Sequence, residues 1–512
     1  MRRKVSVLDY LEENYINIPE KNAVSCEDER MSWSELRNAS RELGKGIRES
    51  AEPCAGKTPV IIFMEKSVKH VVSIYGTLYS GNFYVPMDIS TPAERLKSIL
   101  DTLKDYIILT GREESGILEK AGYTGDYLVY EDLLNNNFGT SGSPETDAVM
   151  NGIIDTDLMY IIFTSGSTGN PKGVAIRHGS VMDYIASFMD EVGMSPDDVC
   201  GNQAPFYADM SLRDLFMTLA SGAELCIIPT KYFTFPLNLL KYIDAKKISY
   251  CMWVPTVYGI VARFKALSKL RPASLKRLCF SGETMQIPVF NYWKEFYPDI
   301  EYWQFYGPSE ITGSCCCYKV DNSRDYDGVI PIGRPYRNTG MLLMDEGEIV
   351  KTSDTGHKGE ICVYGTCLAA GYYNNPEKTK ESFTSLPLEI GYDEKMYRTG
   401  DLAYYDEEGN IVFSGRSDYQ IKHMGRRVEL GEIESAVESV GKTDACCCVH
   451  NKLKDDIILY YIGDLLPGEM LKALGQFLPP HMMPTNAKKV DHLPQLPNGK
   501  LDRKSLEEQE NS

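Results

Sequence analysis

No stretch of the 512-residue chain approaches the roughly 20 consecutive apolar residues that cross a bilayer, so no membrane insertion is expected. The start, MRRKVSVLDYLEENY, has a basic opening, but Asp9, Glu12 and Glu13 interrupt the apolar run a signal peptide needs, so no secretion signal is visible. A surplus of positive charge is missing as well. Lys and Arg total 54 against 72 Asp and Glu, and a net charge of -18 repels a phosphate backbone, so nucleic acid is not an expected partner. There are 14 cysteines but no CxxC pair. Six of them form the triplets Cys315 to Cys317 and Cys446 to Cys448, where strand neighbours point to opposite faces, a poor geometry for bridges or metal cages. Reduced thiols in a cytoplasmic chain, packed as small core residues, are the expectation. No internal repeat is found, and the only biased tail is Glu507 to Ser512.

What is present is a globular composition, 43% hydrophobic and 25% charged, which excludes disordered, collagenous and coiled-coil chains. At about 150 residues per domain the length predicts roughly three compact units and at least two domains. Short β-branched runs alternate with longer segments of helical period over the first four-fifths of the chain, which predicts an α/β fold with parallel sheets covered by helices. Val60 to Met64, Tyr106 to Thr110, Leu158 to Phe163 and Leu225 to Ile228 are the predicted strands. From Ile361, strands separated by turns such as DEEGN at 406 to 410 predict a small antiparallel β subdomain. After Gly415 the pattern changes again. A short strand over Tyr419 to Lys422 precedes a segment that puts Leu430, Ile433, Val437 and Val440 on one helical face and stops at Gly441. The expected division is a large multi-subdomain body, 1–417, and a small α+β C-terminal unit, 418–512.

The most informative stretch is FTSGSTGNPKG at 163 to 173, directly after a predicted buried strand. Gly166 and Gly169 let backbone N–H groups turn toward an anion, Thr164, Ser165, Ser167 and Thr168 add hydroxyl donors, and Lys172 adds charge. This reads as a phosphate cradle, but not as a Walker A loop, because Pro171 precedes Lys172 and an extended segment, Gly173 to Ile176, follows.

The loop resembles the signature of the adenylate-forming superfamily, which includes acyl-CoA synthetases, luciferases and the adenylation domains of non-ribosomal peptide synthetases. MSWSEL (31–36), YVPMD (84–88), FYGPSE (305–310), GEICVYG (359–365), YRTGDL (397–402), GRSDYQIK (415–422), LPPHMMP (478–484) and NGKLDR (498–503) look like its ordered motifs, so the resemblance spans nearly the whole chain. GRSDYQIK with NGKLDR, and FSGE at 280 to 283, are similar to amino-acid-activating members, including free-standing D-alanine:carrier-protein ligases.

The resemblance implies attack of a substrate carboxylate on the α-phosphate of ATP, loss of pyrophosphate, and acyl transfer to a thiol. No general base is needed for the first step, because a carboxylate is already ionised at neutral pH. It implies that Lys500 is catalytic, that Asp401 and Arg416 hold ribose, and that Tyr306 stacks on adenine in a pocket lined by Ser281, Gly282 and Glu283. Glu310 then helps hold Mg2+, and Asp418 is the hinge of a mobile C-terminal lid. Asp209 in FYADMS falls where an aspartate pairs with the substrate ammonium; capping the following helix, Leu212 to Leu219, is the other reading, and one residue can do both. Met210, Arg213, Met252, Phe305, Gly313 and Ser314 line the implied side-chain pocket. Arg213 either anchors an acidic side chain or turns outward to Asp214. Three positions depart from the family pattern: Ala208 stands where an aromatic is usual, with Tyr207 beside it, Arg213 where the side chain is usually apolar, and Met424 where arginine is usual. The implied activity is activation of a small amino acid, D-alanine first, and its loading on a separate phosphopantetheinylated carrier protein. The alternatives are an acyl- or aryl-CoA ligase and a non-catalytic nucleotide-binding relative.

Overall fold

A computed structural model describes residues 4–50, 57–135, 144–166, 170–452, 454–494 and 501–511. Two mixed sheets dominate the first part. In one, Leu158–Thr164, Phe83–Met87, Pro59–Phe63, Ile107–Thr110 and Leu128–Val129 run parallel, and Lys172–Arg177 and Gly371–Tyr372 are added antiparallel at one edge. In the other, of nine strands, Glu301–Tyr306, Arg277–Phe280, Tyr250–Trp253, Val199–Asn202, Glu224–Ile227 and Asn22–Cys26 are parallel, with antiparallel strands at both edges. The central strands read as unbroken apolar runs because helices cover both faces; Pro59–Phe63 is buried at every position. The expected α/β architecture is therefore present, with each predicted strand found within one residue of its expected ends.

The antiparallel subdomain starts earlier than its expected onset at Ile361. Thr339–Asp345 already pairs antiparallel with Gly359–Gly365, which pairs with Lys395–Tyr405. TGMLLMD has four apolar residues in a row at its centre, and its alternating burial shows only once the sheet is formed. Beyond residue 418, a hairpin of Gln420–His423 and Arg426–Glu429 leads into the helix Leu430–Val440, whose C-cap Gly441 takes the left-handed conformation that favours glycine. A three-stranded sheet follows, Thr443–Asn451, Asp456–Gly463 and Asn486–Lys489. Val428, Ile433, Val437, Leu459 and Tyr461 make a hydrophobic core of its own there. The thirteen described cysteines are free, and both triplets sit at or beside strands as packing residues. Among the described residues, no helix is long and apolar enough to cross a membrane.

Candidate functional site

A cleft of about 1510 Å³ opens where the parallel strands of the nine-stranded sheet end and the C-terminal unit faces them. Carboxyl ends of parallel strands are where open α/β sheets bind ligands. Gly282 and Glu283, just past the strand Arg277–Phe280, and Phe305 and Tyr306, at the end of its neighbour, line one wall, with Ser281 buried beside them. Glu283 Oε2 accepts from the Thr256 amide at 2.9 Å and hydroxyl at 2.7 Å, which fixes this wall. The Tyr306 hydroxyl donates to Asp401 Oδ2 at 2.5 Å, and Arg416, opposite Asp401 in the strand register, pairs with Oδ1. Arg416 also forks onto Asp418, at 2.6 and 2.7 Å. Burial opposes ionisation of Asp418, but Arg416 overrides it and lowers its pKa.

Across the cleft, Gly166 needs to be glycine: a Cβ there would stand 2.0 Å from the Asn170 carbonyl oxygen. Its N–H donates to Glu432 Oε2 at 2.9 Å, and the Ser165 hydroxyl donates to the Arg427 carbonyl at 3.0 Å. Thr164 Oγ1 is buried without a partner, and Lys172 lies 5.5 Å over the Tyr372 ring, its pKa lowered by burial and by Arg427. A carboxylate of this chain thus sits on the loop amide, as a phosphate oxygen would, and the donor set fits an anion. Ser167, Thr168, Gly169 and Lys500 lie outside the described residues.

Glu310 is fully buried and accepts from Arg427 Nη1 at 2.8 and 3.0 Å and from the Tyr372 hydroxyl at 2.8 Å. Burial would raise its pKa, but the Arg427 charge, Tyr372 and Lys172 bring it to about 2, so it is an anion at neutral pH. An ionised carboxylate suits a hard cation such as Mg2+, though here both oxygens already serve Arg427. A second cluster, His423, His450 and Asp455, lies at the C-terminal rim, where His450 Nε2 sits 2.8 Å from Asp455 Oδ1.

The residues expected around the substrate meet through partners the sequence did not single out. Asp209 Oδ2 accepts from the Ser309 hydroxyl at 2.8 Å. It is not a helix cap: Met210 holds the position before Ser211–Ser221, already with helical dihedrals, and no side chain caps the helix. Phe305 stacks on Phe188 with ring centres 5.4 Å apart, and Ser314 Oγ lies 3.0 Å from the Tyr336 hydroxyl and 3.4 Å from that of Tyr184. Gly313 has a φ of 81°, and a Cβ would meet the Tyr184 ring at 3.0 Å. Met210 closes on Gly282, while Met252 is buried on a strand two places from Phe305. Arg213 does not turn outward: it is buried over the Phe305 ring, and Asp214 instead accepts from Asn202 Nδ2 at 2.7 Å. Tyr184 and Phe188 are four apart in an apolar helix, a spacing that reads as core. Lys422 ends the GRSDYQIK motif but was given no role, and Arg427 and Glu432 were not singled out. Lys422 lines the cleft, with a pKa lowered by burial and held up by Asp209 and Asp401.

Residues 11–373 match the family described as AMP-binding enzyme. The chain belongs to that family. Zwittermicin A synthase ZmaJ of Bacillus cereus is 31% identical over 97% of this chain and 93% of its own length. Tyrocidine synthase 1 of Brevibacillus parabrevis is also 31% identical, over 98% of this chain, but the chain spans only 45% of that protein. The solved adenylation domain AlmE of Vibrio cholerae, in complex with glycyl-adenosine-5'-phosphate, superposes with a TM-score of 0.84 at 21% identity, covering 99% of this chain and 98% of that one. PA1221, a protein with adenylation and PCP domains, also reaches 0.84, at 23% identity over 98% of this chain and 84% of that one. The fold of this AMP-binding enzyme is therefore that of adenylation domains through both its body and its C-terminal unit, and it ranks among adenylate-forming ligases.

Proposed function

We propose that this AMP-binding enzyme activates an amino acid with ATP and passes it to the phosphopantetheine thiol of a separate carrier protein. The substrate carboxylate attacks the α-phosphorus, pyrophosphate leaves, and the thiol then attacks the acyl carbon and releases AMP. The observation that carries this reading is Asp209: its carboxylate is held by one serine hydroxyl rather than spent on a helix cap, and Lys422 feels its charge from the cleft. An ammonium taken out of water needs such an anion, whereas a fatty or aryl acid has no use for it.

The remaining roles follow the cleft. Asp401 and Arg416 take ribose, Tyr306 lies against adenine, and Thr164 to Gly169 with Lys172 take phosphates, displacing Glu432. Glu310 would hold Mg2+, which when bound neutralises phosphate charge. Lys500 aligns and neutralises the reacting phosphate, so alignment and electrostatics supply the catalysis. Residues 418–512 form a lid that turns about Asp418 between the two half-reactions. D-alanine is the candidate that the motif resemblance names. The free thiols suit a cytoplasmic location.

The test is ATP–pyrophosphate exchange with a panel of amino acids against fatty and aryl acids. Exchange driven by an amino acid is expected; exchange driven only by fatty or aryl acids makes the protein an acyl- or aryl-CoA ligase, and no acyl-AMP from any acid makes it a non-catalytic relative.

A further inference from the structure

Three side chains of the C-terminal unit that the proposed function leaves unused bring their donor atoms together. The ligand atoms of His423, His450 and Asp455 all lie within 4.8 Å of one another. Asp455 Oδ1 stands between the two rings, 2.8 Å from His450 Nε2 and 3.3 Å from His423 Nδ1. The first contact is a hydrogen bond; the second is not aligned as one, and His423 Nδ1 is buried without a hydrogen-bond partner on a residue only 5% exposed. A polar atom taken out of water is costly unless something pairs with it. Ligands held at about 2.0–2.1 Å around one tetrahedral ion stand about 3.3 Å apart, which is the separation of His423 Nδ1 from Asp455 Oδ1.

Two separate hairpins build this meeting. His423 ends the strand Gln420–His423, and the turn after it holds Met424 at a φ of 51°. His450 lies in the strand Thr443–Asn451, and Asp455 closes the turn into Asp456–Gly463 at a φ of 55°, a left-handed conformation that aspartate tolerates better than most residues. The basic neighbours on that turn, Lys452 and Lys454, are exposed, where solvent screens them, and the field of Lys454 reaches Glu510. Two imidazoles and one carboxylate are a nitrogen–oxygen set of intermediate softness. It suits Zn2+ and its first-row neighbours, whereas Mg2+ and Ca2+ prefer oxygen alone.

We propose that His423, His450 and Asp455 bind a divalent transition-metal ion of the zinc class, with a further position left to water from the cleft, which His450 and Asp455 line. The ion ties the hairpin whose Lys422 lines the cleft to the three-stranded sheet of the C-terminal unit, so its role is to stiffen the surface that this unit turns to the cleft. The site shares no residue with the Mg2+ position proposed at Glu310, and it stands whichever acid the enzyme activates.

The test is titration of the metal-free full chain with Co2+, read by visible absorption, followed by competition with Zn2+ and Mg2+. One Co2+ per chain is expected, with the absorption of nitrogen and oxygen ligands, displaced by Zn2+ and not by an excess of Mg2+. His423→Gln, His450→Gln and Asp455→Asn should each weaken Co2+ binding by about tenfold or more, since losing even a residue that only supports a ligand costs that much. Zn2+ should raise the melting temperature of the wild type and not that of the variants, because an ion bound only to the folded state stabilises it. Asp455→Asn removes one charge from a side chain 43% exposed, so the comparison holds even if a histidine variant does not fold. No saturable Co2+ binding to the wild type overturns the proposal and leaves an imidazole–carboxylate cluster only. An intense near-ultraviolet thiolate band, or an affinity unchanged in the variants, puts the ion on other residues and overturns it as well.

Discussion

The two ends of the cleft differ in how their charges are satisfied. On the proposed nucleotide side the carboxylates are already answered: Glu310 by Arg427, Asp401 and Asp418 by Arg416, and Glu432 by Arg95 and the loop amide of Gly166. On the amino-acid side Asp209 has a single hydroxyl and Arg213 has an aromatic face. The amino-acid end has open valences, and open valences select. Under the proposed function, specificity belongs to that end and switching between half-reactions to the other.

The sharpest way to break this contrast is Asp209→Ala. Leaving a desolvated ammonium unpaired costs about 3 to 5 kcal/mol, so KM for the amino acid should rise by two orders of magnitude or more with ATP affinity nearly unchanged. Because Asp209 caps no helix, the melting temperature should move little; a loss of about 1 kcal/mol in stability with KM unchanged would be the signature of a cap. Lys500→Ala comes next: adenylate formation should fall by about a hundredfold, roughly 3 kcal/mol of transition-state stabilisation, with ATP still bound. An unchanged single-turnover rate would remove Lys500 from the chemistry.

The nucleotide end makes a pH prediction. The Arg427 charge holds the Glu310 carboxyl at about 2 in the fold, against 4.5 for an ordinary glutamate. A lowered pKa contributes stability that is complete above the unfolded value and is lost as pH falls through the folded one, so its share should fade between about pH 4.5 and 2. Urea titrations of wild type and Glu310→Gln should differ most near neutrality and converge in acid; a gap independent of pH would contradict the ion pair. Smaller in overall rate, and more telling about switching, is Asp418→Pro. Fixing φ at the hinge should spare adenylation and abolish acyl transfer to a carrier thiol, measured as separate half-reactions. Equal loss in both would place the hinge elsewhere.

Much of this was legible in the sequence because the signals are local. Parallel strands buried on both faces read as apolar runs, the helix stop at Gly441 needs one residue, and the phosphate loop carries its glycines in line. What was not legible depends on contacts between distant segments. Ser309 reaches Asp209 across 100 positions and Arg427 reaches Glu310 across 117, and neither pairing has a local pattern. Tyr184 and Phe188 look like core because a pocket wall and a core face share one helical period. The antiparallel strand Thr339–Asp345 was missed for a related reason, since seven mostly apolar residues do not declare their alternation.

The account stands or falls most directly on the product formed when the full chain is given ATP, Mg2+ and an equimolar mixture of amino, fatty and aryl acids, read by mass spectrometry of the adenylates. The predicted result is an aminoacyl-adenylate. A fatty-acyl or aryl adenylate from the same mixture would contradict it.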